Sequence, residues 1–501
     1  MRYLLGVDFG GGSSKATLID EEGHIITTAA EEYPMLYPHA GWAEQDLEAL
    51  YQAFLTNIRN VLAKSRVDAK DIVAMSIDGA THIGVLLDEK NEVIRPAIHW
   101  TDSRSAEEAA QLAPLKERFI ELCYNAPTPT WTLPQIMWLK KHEPDAHARI
   151  AKVIYLKDYI RYRVTGKLAS DFIEVEGALF YDETKQDWCD DFLAMADLTR
   201  DQMPELHEPA EIAGTLQPAF CKESGLSPET VVAYGATDTV MEVFAAGAAH
   251  VGDTTIKLAT AGRICPITDQ AYPDPQLFCY RHVIPGYWYP GTGTKTCAQA
   301  MRWYRDTLGA HEMELAKTGT MNAFELISEA AAKVPAGSEK LFFHPYLQGE
   351  LTPYQNTRLR ASFTGVGSYH TKAHFDRAIM EGVAYSLRDC MGVFARLGIK
   401  TADRFRIIGG GSKSPIWRQI VSDVLDMPLQ RVTSDDSSIG SAMLAGVAAG
   451  VFPSFAAAVE ACSQLAETVE PDEKNRKVYD EGFEIYKEIQ QAMENVYNKY
   501  Y

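Results

Sequence analysis

The stretch RYLLGVDFGGGSSKATLIDEEGHII, residues 2–26, reads as a strand meander built around a glycine turn. An apolar run at 3–7 leads to Asp8. Gly10, Gly11, Gly12, Ser13, Ser14 and Lys15 follow, then a second apolar run at 16–19, a turn at 20–23 and a third strand opening at Ile25. A strand that ends in a carboxylate and a glycine turn lets backbone N–H groups approach a phosphate closely. Lys15 adds positive charge there, and Asp8 is placed to hold a metal ion. A strand rather than a helix follows the glycines, so this is not the dinucleotide fingerprint. Taken alone, the stretch also fits a tight hairpin with an incidental aspartate.

The same pattern recurs further along. Residues 254–258 read as a strand, Ala259, Thr260, Ala261 and Gly262 as a tight turn, and 263–267 as another strand. The echo implies that the second half repeats the first, with two similar domains facing each other across a cleft. The division is placed at 1–245 and 246–501. A third turn, Gly409, Gly410, Gly411 and Ser412, follows an apolar run at 405–408. Strands at 72–77, 85–88, 93–98 and 231–233 end in polar clusters, which is where open α/β sheets place their ligands. These clusters include Thr81 and His82, then Trp100, Asp102 and Arg104, then Asp238 and Thr239. Helices are expected from residue 47, over 243–249, 372–397, 415–425 and 435–450, and in a charged tail at 470–501 that packs outside.

Composition sets limits. The 501 residues suggest two or three domains. A net charge of −20 argues against nucleic acid or an anionic membrane as the main partner, but not against small anions. Eight scattered cysteines without a C-x-x-C pair suit a reducing cytoplasm, and no apolar run is long enough to span a bilayer.

Three small-residue turns and two strand-end aspartates, Asp8 and Asp238, suit a nucleotide whose phosphates lie between lobes. Phosphoryl transfer needs a metal on the phosphates, donors to the transferred group and a base for the attacking hydroxyl. Asp8 and Asp238 are the natural pair, one mainly for metal and one mainly for base. GTGTKT at 291–296 is not a P-loop, because Thr294 stands where glycine is required before Lys295. It reads as strand or loop near the substrate. Other readings stand beside these: Trp100 as packing, Asp102 and Arg104 as a plain salt bridge, Glu44 and Asp46 as caps of the following helix, and Asp435 and Asp436 as a solvated turn.

The runs GVDFGGGSSK, GWAEQD, IRPAIHWTDSR, YGATD, PYLQGELTP and IIGGGSKSPIWRQIVSDVLDMPL, in this order, resemble the FGGY carbohydrate kinases, and within them the xylulokinase branch. The resemblance covers nearly the whole chain. It implies an α/β fold of two actin-like (ribonuclease H-like) domains flanking a nucleotide and sugar cleft, with ATP and Mg²⁺ as cofactors. It also implies a cytoplasmic enzyme and a possible homodimer.

By the resemblance, Asp238 would be the general base and share the metal with Asp8. Gly10, Gly11, Gly12, Ser13, Lys15, Thr260, Gly262, Gly410, Gly411 and Ser412 would serve ATP. Thr81, His82, Trp100, Asp102, Arg104 and Thr239 would lie on the sugar side. The expected substrate is a ketopentose, D-xylulose first. The alternatives are another ketose such as ribulose, a polyol or an aldonate such as gluconate, and further off a non-catalytic actin-like ATPase or sugar sensor. Gly11 stands where the family's turn carries threonine, and Thr81 and Thr239 depart from its sugar-facing pattern.

Overall fold

The computed structural model describes residues 1–433 and 435–501. Two sheets carry the chain. The first contains β1 (Tyr3–Phe9), β2 (Ser13–Asp20), β3 (Ile25–Glu32), β4 (Ile72–Gly79), β5 (Ile212–Thr215) and β6 (Val231–Ala233), in the order β5-β6-β4-β1-β2-β3. The second contains β7 (Thr254–Leu258), β8 (Gly262–Pro266), β9 (Phe278–Arg281), β10 (Trp288–Thr294), β11 (Phe405–Ile408), β12 (Leu429–Val432) and β13 (Leu465–Val469), in the order β9-β10-β8-β7-β11-β12-β13.

The repeat expected from the two strand–turn–strand patterns is present in the core of both sheets. In the first sheet β1, β2 and β3 form an antiparallel meander, β4 runs parallel to β1, and β6 runs parallel to β4. In the second, β7, β8 and β10 form the meander, β11 runs parallel to β7, and β12 runs parallel to β11. Each sheet ends in an antiparallel edge strand, but β5 precedes its neighbour in the chain whereas β13 follows it. The central strand β1 is covered on both faces, with Leu4, Leu5, Val7 and Phe9 fully buried. That explains its unbroken apolar run.

Five helices position the site. They are α1 (Leu47–Ser65), α2 (Asp238–Ala245), α3 (Lys372–Leu397), α4 (Ser437–Ala448) and α5 (Glu473–Tyr500). In α1 the spaced apolar residues Leu47, Leu50, Tyr51, Phe54, Ile58 and Val61 are all buried, and Asp46 caps the helix by accepting from Glu48 N at 2.9 Å. Glu44 does not cap it. Helix α3 runs through the second core, and α5 packs on the outside of that half, burying Tyr479, Phe483 and Tyr486.

Helix α4 joins the halves. It belongs to the second half by sequence yet lies on β1 of the first. A Cβ built on Gly6 would stand 1.9 Å from the Ser438 carbonyl oxygen and 2.3 Å from Ala442 N. On the other side of α4, a Cβ on Gly440 would stand 2.1 Å from the Met241 carbonyl oxygen in α2. Two glycines therefore permit backbone-to-backbone approach in a layer of β1, α4 and α2. Thr17 Oγ1 and Ser438 Oγ, 2.7 Å apart, add a hydrogen bond across it.

Three expectations are corrected. Helix α2 begins at Asp238, not at 243, because Thr237 is the last extended residue. The strand expected over 93–98 is confined to Ala97–Ile98, with one isolated bridge at Val93. Asp435 and Asp436 are not a solvated turn. Asp435 Oδ2 accepts from Gly409 N at 2.6 Å, and Asp436 caps α4 and pairs with Lys15. All eight cysteines are free, and no helix among the described residues is long and apolar enough to cross a membrane.

Candidate active site

Asp8 and Asp78 stand side by side at the ends of the parallel strands β1 and β4. Ser441 of α4 donates to Asp78 Oδ2. Burial, with the nearby charges of Asp238 and Asp436, pushes the Asp8 carboxyl up to about 7 against the lowering effect of its hydrogen bond to Asp78. Asp78, fully buried beside Asp8, is held well above the usual carboxylate range. Asp8 Oδ1 is buried with no hydrogen-bond partner. This is a cluster of acids short of positive charge, and a divalent cation at Asp8 would favour its ionised form. No group of three or more His, Cys, Asp or Glu side chains among the described residues makes a protein-only metal cage. The residues therefore fit Mg²⁺, which binds through one or two carboxylates and takes its other ligands from phosphate and water.

The turn after β1 is held from behind by Tyr33. Its hydroxyl donates to the Gly10 carbonyl, and its N–H donates to the Gly12 carbonyl at 3.1 Å. Gly10 N closes the turn on the Ser13 carbonyl at 3.0 Å. Among the described residues, the N–H groups of Gly11 and Gly12 have no backbone or side-chain acceptor, which is the state of a nest ready for an anion. Lys15, opposite Asp8 on β2, extends to Asp436 Oδ2 at 2.7 Å, so its charge is shared with the second half.

The other two turns adjoin one another. Gly409 adopts φ +86°, and a Cβ there would lie 2.8 Å from the Leu258 carbonyl oxygen, so only glycine suits this position. Gly410 is open, with nothing near its Cβ position, whereas Gly411 packs on Leu258 and Trp417. Ser412 is buried and donates back to the Gly409 carbonyl at 2.7 Å. In the turn after β7, Thr260 is exposed, and the carbonyls of Ala259 and Thr260 accept from Ala298 N and Cys297 N. Gly262 N donates to Thr294 Oγ1 at 3.1 Å, so the last residue of β10 buttresses this turn.

Asp238 opens α2, beside the bridge between Gly79 and Thr237 that joins the two polar loops of the first half. Its Oδ1 accepts from Thr239 N at 2.5 Å and from Thr239 Oγ1 at 3.1 Å. From the second half, Arg263 Nη1 donates to Thr239 Oγ1 at 3.1 Å. No carboxylate among the described residues pairs with Arg263. Burial lowers the Arg263 pKa, but neighbouring groups, among them the Asp238 carboxylate, outweigh it and leave the pKa raised.

In the loop after β4, His82 has φ +52° and donates its N–H to Glu174 Oε1 at 2.5 Å. Glu174 N in turn donates to Asp171, which Lys157 pairs at 2.6 Å, so buried charges fix the His82 backbone. Burial lowers the His82 pKa to about 3, and its ring lies 4.6 Å from that of Trp131. Thr81 is half-buried beside it, and Trp100 is 44% exposed with its ring 5.4 Å from His99. Arg104 pairs with Asp102 and Glu44, each at 2.8 Å, and stacks at 3.7 Å over Trp42, while Asp102 Oδ2 accepts from Ala43 N. This pair is a buried network rather than an exposed salt bridge. Tyr33, His99, Trp131 and Arg263 were not singled out from the sequence: Tyr33, Trp131 and Arg263 stand outside the quoted runs, and His99, inside IRPAIHWTDSR, was passed over for its neighbour Trp100.

The model of the FGGY family of carbohydrate kinases, N-terminal domain, matches residues 3–245, and its C-terminal domain model matches residues 251–449. The chain is 32% identical to the xylulose kinase of Escherichia coli K12, over 98% of this chain and 99% of that one. It is 28% identical to the gluconokinase of Bacillus subtilis, over 99% and 97%. The crystal structure of xylulose kinase from Rhodospirillum rubrum superposes with a TM-score of 0.90 at 27% identity, covering 99% of this chain and all of that one. Two repeated sheets with small-residue turns after their strands thus coincide with full-length sequence kinship: the chain belongs to the FGGY family of carbohydrate kinases.

Proposed function

We propose that this carbohydrate kinase transfers the γ-phosphoryl group of ATP to a terminal hydroxyl of a ketopentose, D-xylulose first, and that Asp238 is the base. The observation that carries this reading is the place of Asp238. It lies at the start of α2, within the field of Asp8 on one side and one residue from the Arg263 contact on the other. Thr239 N–H orients its carboxylate and leaves Oδ2 for the sugar hydroxyl.

In the reaction, Asp238 accepts the hydroxyl proton as the sugar oxygen attacks phosphorus and the bond to the ADP oxygen breaks. The free N–H groups of Gly11 and Gly12 bind the phosphate oxygens, with exposed Thr260 and open Gly410 on the opposite lobe along the nucleotide path. Mg²⁺, held by Asp8 with Asp238 nearby, would neutralise charge on the phosphates. Thr81, His82 and Trp100 form the sugar side. We place the division between the two domains at 245/246, between α2 and β7.

One observation favours a second reading. The Arg263 guanidinium, beside the base and without a carboxylate partner among the described residues, suits an anionic sugar, so an aldonate such as gluconate is the alternative. The test is coupled ADP release with Mg-ATP across D-xylulose, ribulose, polyols and gluconate, with Asp238→Asn alongside. Turnover on D-xylulose that vanishes in the variant supports the pentulose reading. Turnover on gluconate alone moves the substrate and keeps the base. Sugar-independent release that survives Asp238→Asn rejects the kinase mechanism.

A further inference from the structure

The first phosphate turn has no side chain at Gly11, and the ring beside that gap is His99. A Cβ on Gly11 would lie 3.7 Å from His99 Nε2 and 3.8 Å from its Cε1. His99 follows the short strand Ala97–Ile98 and is 3% exposed. Its other ring nitrogen faces Thr101, with Nδ1 receiving the Thr101 N–H at 3.3 Å and lying 2.8 Å from Thr101 Oγ1. A backbone N–H can only donate, so Nδ1 is the acceptor and the ring proton sits on Nε2. Nε2 is buried and has no hydrogen-bond partner. Burial lowers the ring's pKa to about 4, so the imidazole is neutral and remains a donor at physiological pH. Buried donors are normally satisfied, and this one lies against a turn whose Gly11 and Gly12 N–H groups are also free.

We propose that His99 is a further catalytic residue, whose Nε2–H donates to an oxygen of the transferred phosphoryl group in place of the side-chain donor that Gly11 lacks. The proposal rests on residues 8–15 being the phosphate turn of a phosphoryl transfer. As the group passes from the ADP oxygen to the sugar oxygen, negative charge gathers on its equatorial oxygens. The imidazole hydrogen-bonds that charge and keeps its proton, while the hydroxyl proton goes to Asp238.

The test compares His99→Leu, and the double variant Gly11→Ser with His99→Leu, against the wild type. Binding of ADP and of ADP–beryllium fluoride is measured by calorimetry, together with kcat. His99→Leu should leave ADP affinity unchanged, weaken ADP–beryllium fluoride about tenfold and lower kcat about 10²-fold. The added serine hydroxyl should restore part of both. Equal affinity for ADP–beryllium fluoride in wild type and His99→Leu overturns the proposal.

Should His99→Leu not fold, ¹⁵N-histidine spectra of the wild type decide. The expected result is an Nε2-protonated His99 whose Nε2 signal moves with ADP–beryllium fluoride but not with ADP. No such movement overturns the proposal. Sugar-dependent ADP release that Asp238→Asn abolishes preserves the kinase reading whatever His99 does, so the two failures are distinguishable.

Discussion

Arg263 and Asp238 come from opposite halves of the chain and meet through one hydroxyl. Arg263 Nη1 donates to Thr239 Oγ1 at 3.1 Å, and Thr239 Oγ1 donates to Asp238 Oδ1 at 3.1 Å. Strand β8 thereby holds a residue that orients Asp238 on α2. Removing the cation deletes a charge-assisted hydrogen bond and leaves Thr239 free to rotate.

Arg263→Met should therefore lower kcat/KM for the sugar by about 10- to 100-fold, from the usual 1.5–3 kcal/mol of such a bond. Arg263→Lys keeps the charge but loses the planar fork, and should recover only part of the activity. Steady-state kinetics at saturating ATP make the comparison. If the guanidinium also receives a substrate carboxylate, the loss will be larger for gluconate than for D-xylulose. An equal loss on both assigns Arg263 to the base alone.

Tyr33 acts only through the turn. Its hydroxyl holds the Gly10 carbonyl and its N–H the Gly12 carbonyl, so Tyr33→Phe removes one of two tethers and no contact to the sugar. The expected outcome is a rise in KM for ATP of up to about tenfold, the worth of one hydrogen bond, with KM for the sugar unchanged. A rise in the sugar KM alone would place Tyr33 elsewhere in the mechanism.

Much of this was legible from residue order because the signals are local. The apolar run of β1, Asp8 and the glycines announce strand, carboxylate and turn in a dozen residues, and the echo at 254–262 announces the second sheet. Lys372–Leu397 reads directly as a helix from its spacing. What was not legible depends on approach across hundreds of residues. Asp435 and Asp436 look like a solvated turn until α4 is laid on β1, where one ties Gly409 and the other Lys15. Asp102 and Arg104 look like a plain salt bridge until Trp42 and Glu44 enclose them. His99 stands within the run IRPAIHWTDSR, but nothing in that run points it at Gly11, 88 residues earlier.

Burial of neutral histidines predicts a pH dependence of stability. His344 is buried in the second half, stacked 4.1 Å from the Tyr486 ring, and burial lowers its pKa to about 4. In the unfolded chain its pKa is about 6.5. The folded pKa is depressed, so the contribution is fully present above pH 6.5 and is lost as pH falls toward 4. Buried carboxyls such as Glu350, which burial raises to about 7, carry the opposite sign, so the difference between two chains is the useful readout. Between pH 6.5 and 4.5 the wild type should lose about 1.4 kcal/mol per pH unit more than His344→Gln. Urea unfolding at a series of pH values measures it, and parallel curves would mean that His344 is charged in the folded protein.

The layer of β1, α4 and α2 makes the most demanding prediction. A methyl group at Gly6 would lie 1.9 Å from the Ser438 carbonyl oxygen, a backbone atom with no rotamer to yield, so Gly6→Ala must move α4 off β1. Overpacking of this kind costs about 1–3 kcal/mol and often more. Here the displaced helix also carries Asp436, the partner of Lys15, and Ser441, the donor to Asp78. Stability and activity should therefore fall together in Gly6→Ala, with KM for ATP rising through the disturbed Asp8 neighbourhood. Gly392→Ala lies on α3, where a Cβ would meet nothing within 4 Å, and should leave activity unchanged and stability equal or up to about 1 kcal/mol higher. Thermal unfolding midpoints and ATP kinetics of the two variants test the claim. A Gly6→Ala protein as stable and active as Gly392→Ala would show that α4 does not rest on β1 in solution.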